Sequence, residues 1–294
     1  MANHVDHSES VACEIFELYT NFSGSSRDHY ADPKQDSFSL DLCGQPIVLS
    51  QDGRLQMGKG VTGCRVWDAS VVLAKFIEHQ GLDSIKLSNE MNCIELGAGC
   101  GLPGMATALL GVPTVLTDQE FMLPHLQRCV DQNSITHRLP PREKQPKKFK
   151  SRKKKNAACS TGPRLIECCE LEWEDDTALT NDALHPRLPF DLVLCADLAY
   201  NEDVNALLIE MLLRVTTPKT LVLFCMELRA SYVLEDLLLR LLSTGFNVSR
   251  VPPEMFHPDF CPLSVVLFAI RRKEGAAAVG GLFPFDAATL SLQS

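Results

Sequence analysis

The chain has 294 residues, 45% of them hydrophobic and 22% charged, with Gly 17 and Pro 17, a composition that excludes fibrous and globally disordered chains. No apolar run approaches the roughly 20 residues that span a bilayer, and the start, MANHVDHSES, lacks the basic and apolar regions of a secretory signal, so a soluble intracellular protein is expected. The net charge of −9 hides a polarity: nine Lys and Arg against Glu143 give residues 142–155 a local +8, which leaves −17 on the remainder.

Twelve cysteines in 294 residues fall short of the ~8–10% found in disulfide-built secreted chains, and they are expected as reduced thiols. No CxxC occurs, and the adjacent pair Cys168-Cys169 cannot face one tetrahedral ion without strain. No metal is expected.

Residues 1–36 are polar and aperiodic around CEIFELYTNF, and read as a flexible arm with a short helix. FSLDLCGQPIVLSQDG alternates apolar and polar residues about Gly44, the pattern of a β-hairpin, here covering the main fold or touching substrate. WDASVVLAKFIEHQG is a helix ended by Gly81 as a left-handed cap. Strands follow at 91–96, 113–117, 164–168, 189–196, 220–225, 245–250 and 263–271, with helices near 103–110, 120–133, 203–215 and 231–243. The basic segment 138–160 interrupts this alternation. It cannot bury apolar surface and reads as a solvated insertion, with nuclear targeting or nucleic-acid contact as the sharper alternative. The tail 274–294 is rich in small residues and is expected to be frayed.

Alternating β and α segments with near-continuous apolar strands define an α/β, doubly wound, seven-stranded Rossmann-like domain over residues 37–273, its last two strands antiparallel at one edge. Ligands on such sheets bind at the carboxyl ends of the strands where the order reverses. There the sequence places Glu95-Leu-Gly97-Ala-Gly99-Cys-Gly101, a glycine turn between strand and helix, and Asp118 at the end of the next strand. Gly99-Cys-Gly101-Leu-Pro-Gly104 also satisfies the dinucleotide pattern. A pyrophosphate, however, wants an electropositive helix N-terminus. Glu95 beside that turn favours a cationic cofactor, and S-adenosylmethionine fits, with Asp118 gripping its ribose hydroxyls.

Gly63-Cys-Arg-Val-Trp67-Asp68-Ala69, the glycine turn, Thr117-Asp118, Leu171-Glu-Trp173 and Asp191-Leu-Val-Leu-Cys-Ala196-Asp197-Leu-Ala-Tyr200 occur in one order across roughly residues 38–273. In this the chain resembles the family-16 seven-strand methyltransferases, which include protein-lysine methyltransferases related to the valosin-containing-protein enzyme. The resemblance implies a class I methyltransferase fold, with Trp67 as a pocket wall, Gly97 and Gly99 beneath the methionine part, Trp173 beside the adenine and Ala196 at the methionine end. It also implies that Asp197 and Tyr200, the family's D-x-x-Y, align an acceptor lysine amine, although a helix cap is the plainer reading of an Asp at this junction. The implied partner is a protein: an AAA ATPase, a chaperone or an elongation factor, met in the cytoplasm or, through the basic segment, in the nucleus. Base-amino methyltransferases carry two prolines where this chain has Leu198-Ala199. That departure argues against a nucleic-acid acceptor. A nicotinamide oxidoreductase and a non-catalytic binding module remain the alternatives from other classes.

Overall fold

The computed structural model describes residues 7–22, 29–52, 62–133, 135, 165–275 and 280–292. The basic segment expected over 138–160 lies outside them. Ahead of the main sheet, β1 (Ser37–Leu42) and β2 (Gln45–Ser50) form the expected hairpin. Cys43 and Gly44 at its tip both have positive φ, 53° and 69°, the backbone of a two-residue turn whose twist suits antiparallel strands. Asn133 holds the hairpin from the side, donating to Val48 O at 2.7 Å and accepting from Val48 N at 2.9 Å.

The main sheet is built from β3 (Cys93–Leu96), β4 (Thr114–Asp118), β5 (Ile166–Glu170), β6 (Leu192–Ala196), β7 (Leu221–Glu227), β8 (Phe246–Arg250), β9 (Val265–Arg272) and β10 (Gly281–Leu282). Their order is β10-β8-β9-β7-β6-β3-β4-β5. Only β9 runs antiparallel to its neighbours. The order reverses between β3 and β6, which pair directly.

Alternation within the apolar strands feeds two separate cores. Leu192 and Leu194 join the cluster under α2 (Asp68–Gln80), α3 (Leu102–Leu109) and α4 (Leu123–Asp131), whereas Val193 and Cys195 join the one under α1 (Ser8–Phe22), α5 (Glu202–Val215) and α6 (Ser231–Ser243). Burial on both faces is why these strands show no polar alternation. The α5 terminus is fixed by Asn201, whose Oδ1 accepts the Val204 N–H at 2.8 Å, a side-chain cap for an otherwise orphaned donor.

Three expectations need correction. Gly81 is right-handed, φ −59°. Glycine is needed there because a Cβ would stand 2.5 Å from Ile77 O and from Leu110 Cδ1. The N-terminal region is not simply a loose arm: α1 packs on α6 with Val11 fully buried, and Arg250 pairs with Glu14 and Glu17. The tail is docked as well, since Gly281 and Leu282 pair with Asn247 and Val248 of β8 and add an eighth strand. Both ends have buried surface to hold them, which composition alone does not reveal.

Candidate active site

A cleft of about 300 Å³ opens at the carboxyl ends of β3, β4, β5 and β6, where the strand order reverses; Gly63, Gly97, Asp118, Trp173, Leu198 and Tyr200 are among its lining residues. Its floor is the glycine turn. Gly97 and Gly99 have φ of 55° and 54°, in the left-handed region that most residues avoid. A Cβ on Gly99 would lie 2.8 Å from Gly63 O, and one on Gly97 would lie 2.6 Å from Leu198 Cδ2. The turn thus lets two backbone segments touch and leaves open space above them.

Asp118 closes one side. Its Oδ2 accepts Gly99 N–H at 2.7 Å and its Oδ1 accepts Gln119 N–H at 2.8 Å. Burial raises its pKa, and these two bonds oppose the rise. Each carboxylate oxygen has a further lone pair, so the group is oriented and still able to accept two hydroxyls. The Asp118 carbonyl takes the Leu171 N–H at 3.0 Å, which brings Glu172, Trp173 and Glu174 to the wall. Among the described residues, Asp118, Glu172 and Glu174 line the cleft and no Lys, Arg or His does.

The structure reassigns several expected residues. Glu95 does not line the cleft. Its carboxyl is buried and accepts Gly104 N–H at 2.8 Å at the start of α3, and burial pushes its pKa up to about 8, so near neutral pH it is mostly uncharged. The negative charge facing a ligand comes from Asp118, Glu172 and Glu174 instead. Gly99 acts from beneath through its N–H on Asp118. Ala196 and Trp67 are also absent from the lining residues. Trp67 donates its indole N–H to Thr62 O at 3.2 Å and lies 5.0 Å below the Arg229 guanidinium, a cation over an aromatic face.

Asp197 belongs with that Arg229 group. It has φ 60°, its backbone N–H reaches Cys225 O at 2.8 Å, and both carboxylate oxygens accept from Arg229, at 2.7 and 2.6 Å. Arg229 also donates to Glu227 Oε2 at 2.7 Å. Asp197 is therefore not a helix cap, a role taken by Asn201; nor does it line the cleft, where its neighbours Leu198 and Tyr200 do. Arg229, Glu227 and Phe121 were missed in the sequence. The available signal was Glu227-Leu-Arg229, charged residues at the carboxyl end of a wholly buried strand, which is where ligands meet such sheets.

The donor set fits S-adenosylmethionine: a cradle that any Cβ would fill, a fixed carboxylate with spare lone pairs, a tryptophan face, and walls that are acidic, with no basic group among the described residues that line them. Fold and site together define a class I S-adenosylmethionine-dependent methyltransferase. The sequence profile described as "Lysine methyltransferase" matches residues 51–143 and 148–238, and the chain belongs to that family. Protein N-lysine methyltransferase METTL21A of Danio rerio is 30% identical over 217 residues, covering 74% of this chain and 82% of its own length. The Mus musculus protein of that name is 31% identical over 205 residues, covering 70% and 76%, and EEF1A lysine methyltransferase 3 of Mus musculus is 26% identical over 260 residues, covering 87% and 90%. The chain is a protein-lysine N-methyltransferase that uses S-adenosylmethionine. No described helix is long and apolar enough to cross a membrane.

Proposed function

We propose that the acceptor is a lysine on the surface of a folded protein, with an elongation factor of the EEF1A class as the first substrate to test. The observation that carries this reading is the rim: Phe121 and Tyr200 are 54% and 60% exposed and both line the acidic cleft. Two aromatic faces suit the aliphatic stem and cationic head of a lysine, and the carboxylates below attract it. The relative named for EEF1A supports the choice of substrate.

Bound S-adenosylmethionine supplies a methyl group on a cationic sulfur, open to in-line displacement by nitrogen. This chain's residues hold and orient. Asp118 accepts the ribose hydroxyls, Trp173 offers its face to the adenine, and Gly97 keeps the floor open. Leu198, Val204 and Leu207 make the inner wall apolar, which excludes water and favours the neutral amine over the ammonium. Burial raises the Tyr200 pKa, so its hydroxyl stays protonated at neutral pH and its oxygen can accept one amine hydrogen. Asp197 acts as a positioning residue through Arg229, fixing the turn that carries Leu198 and Tyr200.

The test is transfer of labelled methyl to purified elongation factor 1A, heat-shock chaperones and AAA ATPases, with RNA in parallel. Label released as methyl-lysine after proteolysis is expected. Label that follows nuclease digestion, or no transfer to any protein in a whole extract, would refute the proposal.

A further inference from the structure

Cys100, His125 and Cys129 take no part in the chemistry above, yet the fold brings them together. Cys100 lies inside the glycine turn, while His125 and Cys129 are four residues apart on α4 and share a helix face. The Cys100 Sγ is 3.5 Å and the Cys129 Sγ 3.6 Å from the same atom, His125 Nε2. All three residues are buried, at 4%, 2% and 0% exposure in chain order. The Ser50 carbonyl oxygen, at the end of β2, lies 3.9 Å from Cys100 Sγ and 3.7 Å from Cys129 Sγ. Among the described residues no other His, Cys, Asp and Glu side chains form such a cluster.

Both thiols have carbonyl acceptors, Gly63 O at 3.6 Å from Cys100 Sγ and Ser50 O at 3.7 Å from Cys129 Sγ, but hydrogen bonding serves the imidazole badly. An imidazole nitrogen offers one in-plane direction, as a donor or an acceptor, and two sulfurs equally far from Nε2 compete for it. The other ring nitrogen, Nδ1, is buried with no partner among the described residues, so the two sulfurs are the only polar contacts holding the ring. A cation between the three atoms takes a lone pair from Nε2 and from both sulfurs at once, while Nδ1, on the far side of the ring, keeps its proton. Four of the six edges joining these atoms and the Ser50 oxygen are 3.5–3.9 Å, and the three side-chain ligand atoms all lie within 4.8 Å of one another. A regular tetrahedron with edges of the shorter length has its centre about 2.1–2.4 Å from each corner, against Zn–S of about 2.3 Å and Zn–N of about 2.0–2.1 Å.

We propose that Cys100, His125 and Cys129, closed by the Ser50 carbonyl, form a structural zinc site beneath the cofactor turn. Two sulfurs and an imidazole select zinc over magnesium or calcium, which take oxygen ligands. Both thiols release their protons to solvent on binding, and the two thiolates balance the 2+ charge, so no net charge is left in the core. No solvent-facing position remains, so the ion is structural rather than catalytic. It ties the hairpin, the glycine turn and α4 at one point, one residue along the turn from the Gly99 N–H that orients Asp118.

The test uses the full-length chain purified under reducing conditions, stripped with chelator and loaded with Zn²⁺ or Co²⁺. About one equivalent of zinc should survive gel filtration, and the Co²⁺ form should show thiolate charge-transfer bands with intense tetrahedral d–d bands. Cys129→Ser and His125→Ala should lose the retained ion, while Cys13→Ser, at an exposed cysteine, should keep it. The cobalt spectrum is read on the wild-type chain, so the test survives a variant that fails to fold. An octahedral cobalt spectrum without thiolate bands, unchanged zinc retention in Cys129→Ser, or isolation of the native protein with a Cys100–Cys129 disulfide would each overturn the proposal.

Discussion

Glu95 is 1% exposed, and the burial that pushes its carboxyl pKa up to about 8 has a measurable consequence. Between the ordinary value of 4.5 and that raised value, the folded chain holds a proton that the unfolded chain has released. The stability from this group is therefore complete below pH 4.5 and is lost as pH rises through about 8. In Glu95→Gln the amide still accepts from Gly104 and has no charge to bury. Urea melts at pH 6 and 9 should show wild-type stability falling by on the order of a few kcal/mol, with a much smaller fall in the variant. Equal slopes would mean that Glu95 ionises freely. Asp197 calls for a different substitution. Its φ of 60° is tolerated by Asn better than by Ala, so Asp197→Asn removes the negative charge that faces Arg229 without straining the turn. Loss of a bidentate charge-assisted pair is worth roughly 1–3 kcal/mol, so kcat should fall about 10- to 100-fold while adenosylhomocysteine affinity stays within about threefold. Arg229→Lys, which keeps the charge and loses the fork, should fall between. A parallel loss of cofactor binding would reduce the pair to a structural role.

At the scale of elements, the C-terminal tail shows what periodicity overlooks. Its run of small residues carries no helical or strand repeat, yet Gly280 lies so close to Phe246 that a Cβ would meet its carbonyl oxygen at 1.8 Å. Backbone against backbone is an interaction that only glycine permits at this spacing. Arg271 then reaches out of β9 to the carbonyls of Thr289 and Ser291, at 3.1 and 2.7 Å, and to Lys219 O at 2.9 Å. Leu290 between them is fully buried. Leu290→Ala should therefore cost about 2–4 kcal/mol in urea unfolding. A change below about 0.5 kcal/mol, the range of ordinary surface substitutions, would show that the tail is not docked in solution. The N-terminal helix follows similar physics: α1 has few buried side chains, but Arg250 on β8 supplies ion pairs to Glu14 and Glu17.

Across the whole molecule, the acidic cleft and a lysine acceptor predict a particular pH dependence. The nucleophile is the neutral amine, whose ordinary pKa of about 10.4 leaves little of it at pH 7. Raising the pH increases that fraction, so kcat/KM should climb close to tenfold per unit above pH 7 and level off at the free acceptor's pKa, while kcat levels off at the acceptor's pKa in the complex. Initial rates at 25 °C keep this separate from the alkaline loss of stability expected from Glu95. A flat profile would point to an acceptor already neutral at pH 7, such as a base amino group, and would contradict the lysine assignment.

The sequence by itself determined the β-α order, the bend at Gly97 and Gly99, and Asp118 at the end of β4. These follow from local spacing: apolar runs too short for helices, turn residues between them, and a side chain's place on a strand. Only the tertiary structure decided that Glu95 turns inward to Gly104, that Asp197 is clasped by Arg229 from 32 residues away, and that Cys100 meets His125 across 25. It also decided that the tail adds a strand. Contacts of that kind depend on which faces of distant elements are pressed together, and the burial that results sets which carboxyl stays charged.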